Sequence, residues 1–196
     1  MYINGEWVKE GTTFLVYNPA NGEKLGEVID GTADHANDAI DAANDAFPAW
    51  SDQSNYARSS LLYRAHNLML ERQTHLAELM TREQGKPLKA SMNEVKYAAD
   101  FFLWFAEEAK RIYGATIPSA RQDQRFLVQK QPIGVVAAVT PWNYPISMLT
   151  RKLAPALAAG CTIVLKPAES TPLCAIAVFQ ILDEVGFPSG VANLIT

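Results

Sequence analysis

The segment GVVAAVTPWNYPISMLTRKLAPALAAGCTIVLKPAE runs from Gly134 to Glu169. Gly134–Val139 is a continuous apolar run rich in valine, as expected of a strand covered on both faces. Ser147–Ala159 reads as a helix ended by Gly160, and Thr162–Leu165 as a second buried strand. Beyond it, Pro172–Val185 reads as a helix ended by Gly186, and Val191–Thr196 as the start of a third strand. The order β-α-β-α-β predicts a parallel sheet with right-handed crossovers, hence an α/β fold. Each of the first two strands ends in a polar cluster, where an open α/β sheet holds a ligand.

The chemistry-bearing residues lie in those clusters. In TPWNYP (Thr140–Pro145) two prolines stiffen the loop. Asn143 offers a neutral amide that can stabilise a developing oxyanion, or it can satisfy its own turn. Lys166 and Glu169 follow the second strand. They can bind sugar hydroxyls, or be an exposed lysine and a first-turn glutamate favoured by the helix dipole. Arg151 and Lys152 lie early in the first crossover helix, where the dipole mildly disfavours cations. Arg151 can clamp a carboxylate, or the two can be a solvated pair. No GxGxxG follows the first strand and no P-loop is present, so the usual glycine cradle for a pyrophosphate is missing.

Residues upstream read as strands and then helices. Asn4-Gly5 and Asn21-Gly22 mark hairpin turns within Met1–Val28. Thr32 or Asp34 caps a helix through Ala46, with Ile40 in its buried stripe and Pro48 as its stop. A helical pattern runs from Ala57 to Arg82, with Leu61, Leu62, Ala65, Leu68 and Met69 on one side, until Gly85 and Pro87 break it. Leu88–Tyr113 is the clearest periodic helix. Within it FFLWFA (Phe101–Ala106) is apolar all round, which fits packing on two faces or an aromatic wall beside a small-molecule tunnel. After polar Arg121–Gln124, Phe126–Gln131 reads as a strand.

Composition narrows the class. Of 196 residues, 48% are apolar and 19% charged, enough apolar material for a sizeable core. The net charge of -4 and the lack of a basic stripe argue against nucleic acid as a partner. The N-terminus lacks the features of a signal peptide and there is no apolar run long enough for a membrane span, so a cytoplasmic protein is expected. The two cysteines, Cys161 and Cys174, lie in apolar surroundings without metal-ligand spacing and read as buried small hydrophobes.

TPWNYP, LAPALAAGCTIVLKPAESTP, GFPSGVANLIT, EQGKP (Glu83–Pro87) and WFAEEAKRIYGATIP (Trp104–Pro118) together resemble the N-terminal part of the NAD(P)-dependent aldehyde dehydrogenase superfamily. The resemblance covers essentially the whole chain. TRKLAPALAAGCT and WFAEEAKRIYG look most like the succinate-semialdehyde dehydrogenase branch. It implies an incomplete Rossmann-like sheet over residues 133–196, an oligomerisation-type strand at 125–132, and N-terminal hairpins and helices over 1–124.

The resemblance also implies roles. Asn143 matches the oxyanion-hole asparagine. Thr140, Pro141 and Trp142 match the loop lining the cofactor site. Lys166 and Glu169 match the pair that contacts the adenosine ribose, the glutamate favouring NAD with NADP as the alternative. Arg151 matches an arginine for the substrate's distal carboxylate, and Lys152 a lysine near the active site.

The family's nucleophilic cysteine, general-base glutamate and phosphate-contacting turn have no counterpart before Thr196. The chain alone is therefore expected to be inactive and to bind cofactor weakly. Its strand at 126–131, without a partner, is expected to drive self-association. The alternative is a natural truncated paralogue serving as a binding or assembly module.

Overall fold

A computed structural model describes all residues, Met1–Thr196. Its centre is a five-stranded sheet in the order β2-β1-β9-β8-β7. Strands β7 (Val135–Val139), β8 (Thr162–Lys166) and β9 (Ala192–Leu194) are parallel, joined by helices α5 (Ser147–Ala158) and α6 (Pro172–Val185). This is the β-α-β-α-β unit read from the sequence. Gly186 ends α6 in the left-handed conformation, at φ 86°. The register sets Val139 beside Lys166, so the carboxyl ends of β7 and β8 lie side by side.

The sheet also recruits the N-terminus. β1 (Tyr2–Ile3) and β2 (Glu6–Trp7) form a hairpin across Asn4-Gly5, whose φ values of 52° and 81° fit an Asn-Gly turn. β1 then pairs antiparallel with β9, Tyr2 opposite Leu194. The Tyr2 hydroxyl and the Trp7 indole N–H both donate to Asp183 on α6, at 3.0 Å each. The second hairpin, β3 (Thr13–Tyr17) with β4 (Lys24–Ile29), stands apart as its own two-stranded sheet.

Helix α1 (Ala33–Ser51) starts at a reciprocal cap, Thr32 with His35, and runs past Pro48 instead of stopping before it. Proline removes only its own N–H. Its carbonyl still accepts from the Asp52 N–H at 3.2 Å and from the Ser51 hydroxyl at 2.9 Å, so the last turn survives. Ile40 is exposed, and Ala39, Ala43 and Trp50 form the buried stripe. The run expected over Ala57–Arg82 is two helices, α2 (Asn55–Glu71) and α3 (Gln73–Gln84), broken at Arg72. Leu62, Ala65 and Met69 are fully buried there, whereas Leu61 and Leu68 are half-buried.

Helix α4 (Leu88–Ala109) ends before Tyr113, which is exposed, as is Leu88. It packs against α2, α3 and α5. Val95, Ala99, Phe102, Ala106 and Ala109 are buried along one face, at alternating steps of four and three. Ser91, Glu94 and Ala98 are buried on a second face.

The strand expected at Phe126–Gln131 is β6 (Arg125–Val128). It is not unpartnered: β5 (Ala115–Pro118) pairs with it antiparallel. Every residue of these two strands is exposed, including Ile117, Phe126, Leu127 and Val128. No helix is long and apolar enough to cross a membrane.

Candidate active site

The candidate site forms where β7 and β8 end. Thr140 is buried and its backbone N–H donates to the Lys166 carbonyl at 3.1 Å, which ties the two strand ends together. Pro141, Trp142 and Asn143 then emerge to solvent, Trp142 with 57% of its surface exposed. The Asn143 side chain makes no hydrogen bond within the chain; only its carbonyl is engaged. The turn-satisfying alternative for this residue is thus not the one adopted, and its amide stays free to donate.

Lys166 and Glu169 form an ion pair at the end of β8 with both side chains accessible. The lysine's hydrogen bond holds the glutamate carboxyl below the ordinary carboxylate value, so the group carries its charge at neutral pH. These residues, with Trp142, follow the carboxyl ends of the parallel strands β7 and β8. That is the position in which open α/β sheets receive a nucleotide.

Arg151, one turn into α5, reaches back to α4. Its guanidinium donates to the Tyr97 hydroxyl at 2.9 Å and lies 5.1 Å from the Phe101 ring centroid. The other guanidinium donors have no partner in the chain, so a carboxylate can still be gripped there. Beside it Tyr97, Asp100, Phe101, Trp104 and Phe105 line an open groove of about 290 Å³. FFLWFA packs into the core and also faces this groove, which is open and not a tunnel. Phe102 and Ala106 are core, whereas Trp104 and the half-buried Phe101 and Phe105 form an aromatic wall. Lys152 is half-buried and, together with Arg151, lines a second cleft of about 480 Å³ that runs along β7 with Ile133, Val136 and Pro155; Asn143 does not line that cleft.

Two buried glutamates, neither singled out by sequence reasoning, hold the scaffold of the site. Helices α5 and α6 have no side-chain N-cap of their own, which leaves first-turn N–H groups to be satisfied from elsewhere. Glu94, from α4, accepts the N–H groups of Ile146 and Ser147 at 3.1 and 3.2 Å. Glu83, from α3, accepts those of Leu173 and Cys174. Lys86 forms an ion pair with Glu94, donates to the Asn143 carbonyl at 3.0 Å, and lies 4.1 Å from the Tyr144 ring centroid. The available signal was a buried polar position on a helix apolar on two faces, but its partners lie dozens of residues downstream.

The Aldehyde dehydrogenase family profile matches residues 7–196. The chain belongs to the aldehyde dehydrogenase family. It is 55% identical over 196 residues to the NADP(+) succinate-semialdehyde dehydrogenase of Escherichia coli (strain K12), covering 99% of this chain and 41% of that protein. It is 54% identical over 198 residues to a glutarate-semialdehyde dehydrogenase of Pseudomonas putida, covering 100% and 41%. The crystal structure of an E. coli NADP-dependent enzyme superposes with a TM-score of 0.98 at 54% identity, over 100% of this chain and 41% of that one. The chain thus spans well under half the length of these aldehyde dehydrogenases, and its sheet is the first part of their Rossmann-like fold.

Neither cysteine of this aldehyde dehydrogenase chain has the surroundings of a nucleophile. Cys161 is buried at the turn into β8, and Cys174 is fully buried in the first turn of α6. Burial, reinforced by the neighbouring Glu83 carboxylate, pushes the Cys174 thiol well above its ordinary value. A thiol kept protonated and covered is inert. No cluster of three or more His, Cys, Asp or Glu side chains is placed to hold a metal ion.

Proposed function

We propose that the chain is the N-terminal portion of an NAD(P)-dependent aldehyde dehydrogenase that oxidises a small acidic semialdehyde, such as succinate semialdehyde, to the acid. The observation that carries this reading is Arg151. Its guanidinium contacts Tyr97 and Phe101, two of the residues that line the aromatic groove, with donors unspent, on the helix that follows the Asn143 loop. A cation at the rim of an apolar groove suits a short aliphatic chain ending in a carboxylate. The semialdehyde substrates named for the two relatives fit that description.

The division of labour follows from the positions. The Asn143 amide donates to the oxygen that becomes negative when an aldehyde is attacked, with no proton change of its own. Arg151 holds the far carboxylate and so sets the depth at which the aldehyde lies. Lys166 and Glu169 fit a ribose, one donating and one accepting, and Trp142 offers an apolar surface beside them. A nicotinamide dinucleotide bound there supplies the hydride acceptor.

NAD is the cofactor proposed, because the ionised Glu169 repels a 2′-phosphate, with NADP as the alternative. The nucleophilic cysteine and general-base glutamate belong to the remainder of the complete polypeptide, so this chain alone is proposed to be inactive and to bind cofactor weakly. Lys152 is kept as a residue near the active site, supported only by its place beside Arg151.

We read residues 1–124 as the packing layer, 125–132 as an oligomerisation strand and 133–196 as the first part of the cofactor domain, in a cytoplasmic homo-oligomer. The exposed apolar hairpin of β5 and β6 supports self-association.

The test is turnover of succinate semialdehyde with NAD and with NADP, by this chain and by the complete polypeptide carrying it. Reduced cofactor should form only with the complete polypeptide, and Arg151→Met should raise KM for the semialdehyde far more than for an uncharged aldehyde. Equal effects on both aldehydes would reject the carboxylate clamp. Robust turnover by this chain would reject its inactivity.

A further inference from the structure

We propose that Lys86 and Glu94 form a positioning clamp whose role is to hold Asn143 where an oxyanion develops. This rests on the reading of Asn143 as the oxyanion donor. The clamp's valences converge on one stretch of backbone. One oxygen of Glu94 accepts both the Ile146 and Ser147 N–H groups, and its other oxygen accepts from Lys86. Lys86 directs its remaining capacity to the Asn143 carbonyl and to the face of the Tyr144 ring. Asn143, Tyr144, Ile146 and Ser147 are therefore each held by one of two side chains, while Pro141 and Pro145 restrict the backbone on either side.

Capping α5 does not by itself explain this arrangement. Glu94 alone accepts the Ile146 and Ser147 N–H groups, and the Tyr144 carbonyl accepts that of Met148 at 3.0 Å. The contact from Lys86 to the Asn143 carbonyl adds nothing to the cap; it fixes the backbone from which the free Asn143 amide projects. Both charged side chains are well shielded, with 13% of Lys86 and 1% of Glu94 exposed. Their attraction is thus little weakened by solvent. Their anchors are rigid too. Glu94 lies inside α4, which packs on both α2 and α5, and Lys86 follows the left-handed Gly85 that closes α3. A donor that must meet a developing charge works best when its orientation is set beforehand.

A double-mutant cycle separates positioning from general support. In the complete polypeptide, Lys86→Met should lower kcat about 10- to 100-fold, the range expected for a displacement of about 1 Å, with KM for the semialdehyde nearly unchanged. In an Asn143→Ala background the same substitution should cost little more, because the group it positions is gone. Lys86→Arg, which keeps the charge and the donors, should recover part of the rate and guards against a variant that merely fails to fold.

On this chain alone, hydrogen exchange at Ile146 and Ser147 should accelerate in Glu94→Ala while α6 stays protected. Full additivity of Lys86→Met and Asn143→Ala, or unchanged exchange at those amides, would overturn the clamp. An Asn143→Ala enzyme with normal kcat would overturn the oxyanion reading instead, and the positioning role with it.

Discussion

Replacing Glu83 with glutamine should change how stability depends on pH. Glu83 is 2% exposed and accepts two backbone N–H groups at the start of α6. Burial raises its carboxyl from 4.5 to about 7, against the pull of the Cys174 thiol and the two amides. The folded chain thus keeps a proton that the unfolded chain has already released between those two values. Folding is coupled to proton uptake there, so stability falls as pH rises through the window and levels off above the folded value.

The interval from 4.5 to about 7 corresponds to about 3 kcal/mol, at roughly 1.4 kcal/mol for each pH unit. Glutamine has no such proton to lose, but its amide NH₂ faces a backbone N–H, at a cost of about 1–2 kcal/mol. Urea denaturation of the parent chain and Glu83→Gln, run from about pH 5 to about pH 8, measures the difference directly. Between those two pH values the parent should lose about 2.5 kcal/mol relative to the variant, so that its advantage of about 1 kcal/mol at the acid end reverses at the alkaline end. Parallel stability curves for the two proteins would refute the reasoning.

Further outcomes are expected elsewhere. Arg58 is buried and donates to the carbonyls of Ala158, Ser51 and Gln53 and to the Asn55 side chain. Arg58→Met should therefore destabilise the chain by about 3 kcal/mol in denaturant titration, because several buried acceptors lose their donor. Sedimentation of the parent chain should show concentration-dependent association that Leu127→Lys weakens, since Leu127 is 71% exposed on the β5–β6 hairpin. A monomer at all concentrations would remove that hairpin as a contact surface. In the complete polypeptide, Glu169→Gln should lower KM for NADP relative to NAD, because it removes the charge that opposes a 2′-phosphate. An unchanged ratio would mean Glu169 does not face the ribose.

The parallel half of the fold was legible because its signals are local. Strand β8 is an apolar run buried on both faces, and glycines close the helices on either side of it; β7 is equally apolar but lies at the sheet edge with Ala137 and Val139 exposed, so the covering expected on both its faces is not met within this chain. The pairing of β1 with β9 was not legible, since Tyr2 meets Leu194 across nearly the whole chain and no local pattern encodes that choice. β5 escaped notice because it is short, fully exposed and ends in Pro118. Pro48 misled because a proline near a helix end forfeits a single bond, which the following turn tolerates.

In the site, Asn143, Arg151, Lys166 and Glu169 stood out as polar groups at strand ends and at a helix start. What holds them did not. Glu83, Glu94 and Lys86 act on backbone groups of helices far along the chain, and the Arg151 contact with Tyr97 joins two helices whose facing surfaces only the fold reveals.

The most direct test of the account is diffraction from crystals of the complete polypeptide soaked with NAD and succinate. The account predicts ribose hydroxyls within hydrogen-bonding distance of Lys166 and Glu169. It also predicts one succinate carboxylate on the Arg151 guanidinium and the other end directed at the Asn143 amide. A dinucleotide bound away from the carboxyl ends of β7 and β8, or a succinate that leaves Arg151 untouched, would contradict it.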